Sequence, residues 1–241
     1  MEDIAPLFDI IRLILGIGIL GYASYTDIKT RHAANYLWVI MGMGGAILVI
    51  LQYIFIGFDN SYYLLFIPLM ILFIYLLFQL RLVFGGADAK ALMTLAILVP
   101  IQPLMYSLPL WQPQIISFPG SWIIFSNSVI LFLFIPLSLL IYNILKRNIV
   151  FPQSFLGYKM PVAEAQKKFV WPLEKIRNGK QVFSYRPSTF DTTEELKLFE
   201  KHNIKNIWVT PKIPFMIPLL AGFIATFVLG DILSFIIRTI L

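Results

Sequence analysis

Long apolar stretches, separated by short polar turns, dominate the chain. An α-helix needs roughly 20 residues to cross a bilayer. Six of the apolar stretches approach this length, and they cover residues 8–25, 35–56, 62–82, 89–105, 122–145 and 214–236. Their apolar residues run continuously and do not alternate as in a membrane β-strand. The pattern therefore predicts an all-α polytopic membrane protein with six transmembrane helices.

The apolar pattern breaks between residues 146 and 212, where charged residues and prolines become frequent. Within this stretch, 181–185 and 206–209 alternate like short strands, whereas 161–169 and 191–202 are predicted as helices. We predict a small α+β module at 146–212, between helices 5 and 6. Residues 1–145 would form a membrane domain of five helices, which residues 213–241 complete with the sixth.

The amino-acid composition limits the class of protein and the kinds of site that the chain can contain. The chain is 59% hydrophobic and 13% charged, which is typical of an integral membrane protein and not of a soluble domain. It has no cysteine, which excludes disulfides, thiolate metal sites and cysteine nucleophiles. Its two histidines, His32 and His202, lie far apart in the sequence. We therefore expect no metal site and no cofactor.

The basic residues indicate the orientation, because Lys and Arg concentrate in cytoplasmic loops. They follow the first segment (Lys29, Arg31), flank the loop before the fourth (Arg81, Lys90) and fill the module, which has 13 basic and 6 acidic residues. We expect a multi-pass cell-membrane protein with a cytoplasmic module and both termini outside. The module lacks a nucleic-acid-binding motif, so its charge favours contact with anionic membrane lipids and no nucleic acid.

Two aspartates lie at the ends of apolar segments on the predicted cytoplasmic side. Asp27 ends the first segment, and Asp88 opens the fourth. A charge at membrane depth costs roughly 3 kcal/mol, so it seldom occurs without a partner or a function. Each aspartate alone has a structural explanation: Asp27 as an ion-pair partner of Lys29 or Arg31, and Asp88 as a helix N-cap.

The other membrane-domain aspartates, Asp9, Asp59 and Asp231, are predicted at the opposite face. Asp27 and Asp88 can therefore meet each other but not these three. Two carboxylates held close together do not both ionise easily and tend to share a proton. One can then act as a base and the other as an acid in the attack of water on a peptide bond, and such a coupled pair titrates as a unit.

Gly85, Gly86 and Ala87 directly precede Asp88 and form a loop of small residues. Glycine permits backbone torsions and close approaches that a side chain would block, so an extended substrate can pair with this loop. Lys90 lies two residues beyond Asp88. Its ammonium group either reaches up to the interface, which we favour, or biases the ionisation of the aspartates.

These residues resemble a known family. Gly85-Gly86-Ala87-Asp88, followed by Lys90, resembles the GxGD signature of intramembrane aspartyl proteases. Asp27-Ile28-Lys29-Thr30-Arg31 through Asn35 resembles the first-aspartate motif of type IV prepilin peptidases. Six spans, an insert before the last helix and the stretch 206–211 are similar to the archaeal preflagellin (prearchaellin) peptidases of this family. Ala87 replaces the second signature glycine, and the cysteine-rich zinc element of many bacterial members is missing.

The resemblance implies an aspartic endopeptidase with Asp27 and Asp88 as catalytic residues. Lys29, Arg31 and Lys90 are candidate supporting residues. The implied reaction removes short basic leader peptides from preflagellin or pilin-like precursors, just cytoplasmic of their hydrophobic segment. A net-positive module does not attract a basic leader, so we hypothesise that the module holds the anionic membrane surface.

Two alternatives from other classes remain at this point. A proton-coupled membrane transporter would use the same carboxylates as a proton relay, and a membrane scaffold would have no enzymatic activity. A transporter should place polar groups near the bilayer midplane along several helices. The second, third and fifth segments contain few such groups. A scaffold would tolerate the loss of either aspartate.

Overall fold

A computed structural model of the chain describes residues 4–58, 61–80, 82, 85–111, 118–177, 179–184 and 193–240. It is mostly helical, with a few short strands near the C-terminus. The chain divides into two compact units, one formed by Met1–Phe132 with Pro214–Leu241 and the other by Leu133–Ile213. Asp59 and Arg81, which are predicted on opposite sides of the membrane, lie outside the described residues.

Helices account for most of the described part of the chain up to residue 145. They are α1 (Ala5–Thr30), α2 (Asn35–Phe55), α3 (Phe66–Gln79, preceded by a 3₁₀ turn at Ser61–Leu65), α4 (Gly86–Leu98) and α5 (Gly120–Leu145). By length and composition, α1, α2 and α5 qualify as membrane-crossing helices, whereas α3 is a shorter apolar helix. The structure thus contains three candidate membrane helices among the described residues.

The second unit contains a small α/β module. Its helices are α6 (Gln153–Leu156), α7 (Val162–Ala165) and α8 (Thr193–Lys201), and its strands are β1 (Tyr158–Pro161), β2 (Val170–Pro172), β3 (Glu174–Arg177), β4 (Lys180–Phe183) and β5 (Asn206–Pro211). Strand β5 pairs antiparallel with β1 and β2, and β3 with β4 forms a hairpin. The core of the module contains Phe199 of α8 and Ile207 of β5.

The elements predicted within the module are confirmed to different extents. The helix predicted at 191–202 corresponds to α8, and the strand at 206–209 corresponds to β5. The strand predicted at 181–185 corresponds to β4, with Tyr185 outside the described residues. The helix predicted at 161–169 shrinks to the four residues of α7, because the chain must extend again to pair β2 with β5.

The sixth apolar segment differs from the prediction of one helix over 214–236. It contains α9 (Met216–Val228) and α10 (Ile232–Ile240), with Gly230 between them at a φ of +98°. The buried side chain of Asn127 stabilises this break, because its amide donates to the Gly230 carbonyl (2.8 Å) and accepts the Ile232 N–H (3.1 Å). Asp231 then begins α10 by accepting the Ser234 N–H.

Small residues let helices of the first unit approach one another closely. Gly45 of α2 lies against the backbone of Leu98 in α4, where a Cβ would not fit. Gly16 of α1 lies under the ring of Phe223 in α9, again without room for a Cβ. Helix α1 is thereby packed on α9, and α4 on α2.

A buried ion pair joins α1 to the segment that follows α4. Arg12, which is 4% exposed, donates from Nη1 to Asp9 Oδ1 at 2.8 Å. The other carboxylate oxygen of Asp9 accepts the Leu104 N–H at 2.9 Å. Asp9 and Asp27 are 18 residues apart on the same helix, which separates them by about 27 Å. The prediction that they lie at opposite faces agrees with this spacing.

We expect Arg12→Met to lower the free energy of unfolding by about 3–5 kcal/mol, because it leaves the Asp9 carboxylate buried without its cation. The double variant Asp9→Asn/Arg12→Met should recover most of this loss. The asparagine side chain in that variant keeps an oxygen for the Leu104 N–H and carries no charge. Denaturant unfolding of the purified protein in detergent measures both variants. Equal stability of wild type and Arg12→Met would contradict the expected cost of leaving the Asp9 carboxylate buried without its cation.

Candidate active site

Asp27 lies in the last turn of α1, where the buried face of the helix reaches its end. One turn earlier, the buried Ser24 hydroxyl donates to the carbonyl of Met216, the first residue of α9 (3.1 Å). The helix ends at Arg31, which adopts a left-handed conformation (φ 56°) and donates its N–H to the Asp27 carbonyl (3.0 Å). The Asp27 side chain is half-buried at a fixed helix end.

Asp88 is the third residue of α4, and Gly85 occupies the N-cap position. The Asp88 carboxylate turns back over Gly85, so that a Cβ on Gly85 would overlap with its Oδ2. Gly85 has ordinary torsions (φ −91°, ψ 117°), and a glycine is therefore needed for space and not for conformation. Within the described residues, no side chain hydrogen-bonds to cap α4. This removes the explanation of Asp88 as a helix N-cap.

The other two small residues of the loop lie inside α4. Gly86 is exposed, and a Cβ placed there would come no closer than 4.0 Å to the ring of Phe78. Ala87 is not among the described residues with positive φ. Its methyl group is accommodated at a helical position, so the substitution of the second signature glycine leaves the start of α4 intact.

The structure brings Asp27 and Asp88 to the same end of the helix bundle. Helix α1 contacts α4, and α2 packs against both. Asp27 is close enough to act electrostatically on Asp88, and Arg31 and His32 act in turn on Asp27. Two like charges in this relation make it unfavourable for both carboxylates to be ionised at once. Such a pair holds both a proton acceptor and a proton donor for the same reaction.

The three predicted supporting residues have different environments. Lys90 Nζ donates to Asn35 Oδ1 at 2.8 Å and so links the fifth residue of α4 to the first residue of α2. The Lys29 ammonium lies over the ring of Tyr25, 4.7 Å from its centroid. Arg31 acts on Asp27 at the helix end. Lys90 therefore links the beginnings of α4 and α2.

Sequence reasoning did not assign a role to Asn35 or Ser24. Asn35 is within the stretch that resembles the first-aspartate motif, which was the available signal, but its partner Lys90 is 55 residues away. Ser24 gives no signal in the sequence, because its partner is a backbone carbonyl 192 residues away. Within the described ranges, no three His, Cys, Asp or Glu residues are grouped as metal ligands.

Comparison with known proteins gives consistent matches over almost the whole chain. Residues 14–144 match the model of the type IV leader peptidase family, and residues 150–232 match that of the archaeal peptidase A24 C-terminus, type II. Preflagellin peptidases from Methanococcus voltae and Methanocaldococcus jannaschii are 33% and 32% identical to the chain. The alignments cover 92% of this chain and 97% and 94% of those relatives.

A third preflagellin peptidase, from Methanococcus maripaludis, is 30% identical over 92% of the chain and 97% of its own length. The first family match alone covers more than half of the chain, including Asp27 and Asp88. These matches support the cleavage of leader peptides and give no support to a transporter. The chain is a protease that belongs to the type IV leader peptidase family.

Proposed function

We propose that the chain removes short basic leader peptides from preflagellins or related pilin-like precursors, with Asp27 and Asp88 as its catalytic pair. The substrate class is supported by relatives named preflagellin peptidase that align with 92% of the chain. The pair is supported by one observation above all: Asp27 and Asp88 lie at one end of the bundle and interact electrostatically. No other aspartate of the described membrane unit lies at that end.

The proposed reaction starts with one proton shared between the two carboxylates. The ionised carboxylate takes a proton from a water molecule, whose oxygen attacks the peptide carbonyl. The protonated carboxyl supports the developing oxyanion and then transfers its proton to the leaving amine as the C–N bond breaks. The proton has then moved from one carboxylate to the other, and the pair again holds one proton.

In the proposed arrangement, six helical segments cross the membrane, with α3, α4 and α9 completing the set formed by α1, α2 and α5. Both termini lie outside, and the catalytic pair is at the cytoplasmic face. The positive charge of the module and of the turn after α1 supports this orientation. The proposed site therefore faces the cytoplasmic side, where the leader peptides of nascent precursors lie. Lipids surround the membrane unit in this arrangement.

The test is cleavage of a purified preflagellin-like precursor by the wild-type protein, both reconstituted in the same vesicles. We expect a single cut between the leader and the hydrophobic segment, located by mass spectrometry of both products. A precursor whose leader junction is moved into the middle of its hydrophobic segment serves as the control and should remain intact. Absence of cleavage, or equal cleavage of both precursors, would refute the proposed function.

A further inference from the structure

A basic pocket lies on the surface of the α/β module. It has a volume of about 630 Å³ and lies between α8 and the turn that follows α7. Its charged lining consists of Lys167, Lys168, Lys197, Lys212 and Glu200. Four cations face one anion, so the pocket is suited to an anionic ligand. The buried Leu196 forms part of its wall.

The contacts of Lys167, Lys168 and Lys197 leave the charge of these three side chains exposed to a ligand. Lys168 pairs with Glu164 at 3.4 Å, but both side chains are more than half exposed, and such surface pairs contribute little energy. The Lys212 ammonium lies 5.2 Å from the centroid of the Trp171 ring, a contact that keeps its charge. Lys167 and Lys197 are exposed. An incoming anion therefore does not have to break a strong ion pair of Lys167, Lys168 or Lys197.

The pocket has an aromatic residue at its edge. The Phe169 side chain is 57% exposed, although Phe is apolar, and its carbonyl accepts the Lys212 N–H at 3.0 Å. Phe169 and Lys212 are thus held side by side. An exposed aromatic ring next to lysines is typical of a surface that contacts a membrane interface.

Lys212 lies close in the sequence to an apolar helix. Lys212 is four residues before Met216, the first residue of the apolar helix α9. Four residues span at most about 14 Å even when fully extended. By chain length alone, a membrane-embedded α9 would keep Lys212 within reach of lipid headgroups.

We propose that the pocket binds the phosphate of an anionic phospholipid headgroup, with the lysine ammonium groups around the phosphate and the Phe169 ring in the interface. The leaflet concerned is the cytoplasmic one, a choice that rests on the proposed function and its orientation. The basic leader of a precursor does not fit this pocket, because its charge has the same sign. The module then has a specific lipid site and not only a diffuse attraction to the membrane.

The experiment titrates the full-length protein, in zwitterionic detergent, with short-chain phosphatidylglycerol and separately with short-chain phosphatidylcholine. Hydrogen–deuterium exchange of peptides covering 162–169 and 193–201 reports binding at the pocket. We expect protection with phosphatidylglycerol only. In the variant Lys167→Gln/Lys168→Gln/Lys197→Gln, affinity should fall about fivefold per lysine, or roughly a hundredfold in total.

The matched control is Lys159→Gln/Arg177→Gln/Lys180→Gln, which removes the same charge from exposed positions of the module outside the pocket lining. It should bind like the wild type. Equal losses in both variants, or retained binding in the pocket variant, would overturn the proposal. Protection by inorganic phosphate alone at the same concentration would also overturn it, because the site would then take a soluble anion.

Precursor cleavage by the same samples separates this inference from the proposed function. The pocket variant should still cleave the precursor in detergent, where no anionic bilayer is present. Loss of headgroup binding with intact cleavage therefore tests the pocket alone. A wild-type protein that binds phosphatidylglycerol but never cleaves a precursor would refute the proposed function and leave the pocket assignment standing.

Discussion

Asp27→Asn and Asp88→Asn are each expected to lower precursor cleavage by roughly 10³-fold or more, because a positioned proton acceptor or donor contributes about 10²–10⁴-fold. Asparagine has nearly the shape of aspartate, but its amide neither takes a proton from water nor gives one to the leaving amine. The double variant should be no worse than either single variant, since the two residues act as a unit. Initial rates of product formation in reconstituted vesicles measure all three.

Asp231→Asn is the matched control for these substitutions. Asp231 begins α10 through the Ser234 N–H, and asparagine serves equally well at a helix N-terminus. We expect its cleavage rate to stay within about twofold of wild type, since Asn caps as well as Asp. Wild-type rates in either Asp27→Asn or Asp88→Asn would contradict the catalytic pair and would mean that the protease uses other residues for the cleavage.

Gly85→Ala is expected to lower the turnover number by about 10²-fold, because small displacements of a catalytic group have effects of this size. A Cβ at Gly85 overlaps with the Asp88 carboxylate in its present position, so that the carboxylate must rotate away from Gly85. Gly86→Ala is the matched control one residue later. The nearest side chain there is the Phe78 ring, 4.0 Å from the added methyl group, and alanine favours the helix.

We expect Gly85→Ala to have a much lower kcat than Gly86→Ala. The two variants should have similar thermal unfolding temperatures in detergent. A similar loss in both would indicate that the loop acts through its flexibility or through pairing with the substrate backbone. Full activity in both would indicate that the Asp88 carboxylate leaves Gly85 before the reaction. Either result would contradict the assignment of Gly85 as the residue that makes room for Asp88.

The elements that could be predicted are those whose signal lies within their own sequence. Helices α1, α2 and α5 follow from long apolar runs, and α8 follows from its pattern of charged and apolar residues. The break between α9 and α10 could not be predicted. It depends on the buried amide of Asn127, more than 100 residues earlier in the chain.

The same holds for the candidate site: features with a local sequence signal could be predicted, and features that depend on distant residues could not. Asp27 and Asp88 could be proposed because their depth in the membrane and the adjoining motif are both visible in the sequence. The rotation of the Asp88 carboxylate over Gly85 could not be predicted, because it depends on which side-chain rotamer Asp88 adopts within α4. The bond between Lys90 and Asn35 depends on how α2 and α4 pack, which no local pattern reports.

The two aspartates are carried by helices that are made at different times. Asp27 ends α1, whereas Asp88 begins α4, and two further helices separate them in the chain. A ribosome must therefore complete and insert α4 before the pair can assemble. With Asp27 and Asp88 as the catalytic pair, every shorter nascent chain is inactive. The protease therefore cannot cut neighbouring proteins while its first three helices are being made.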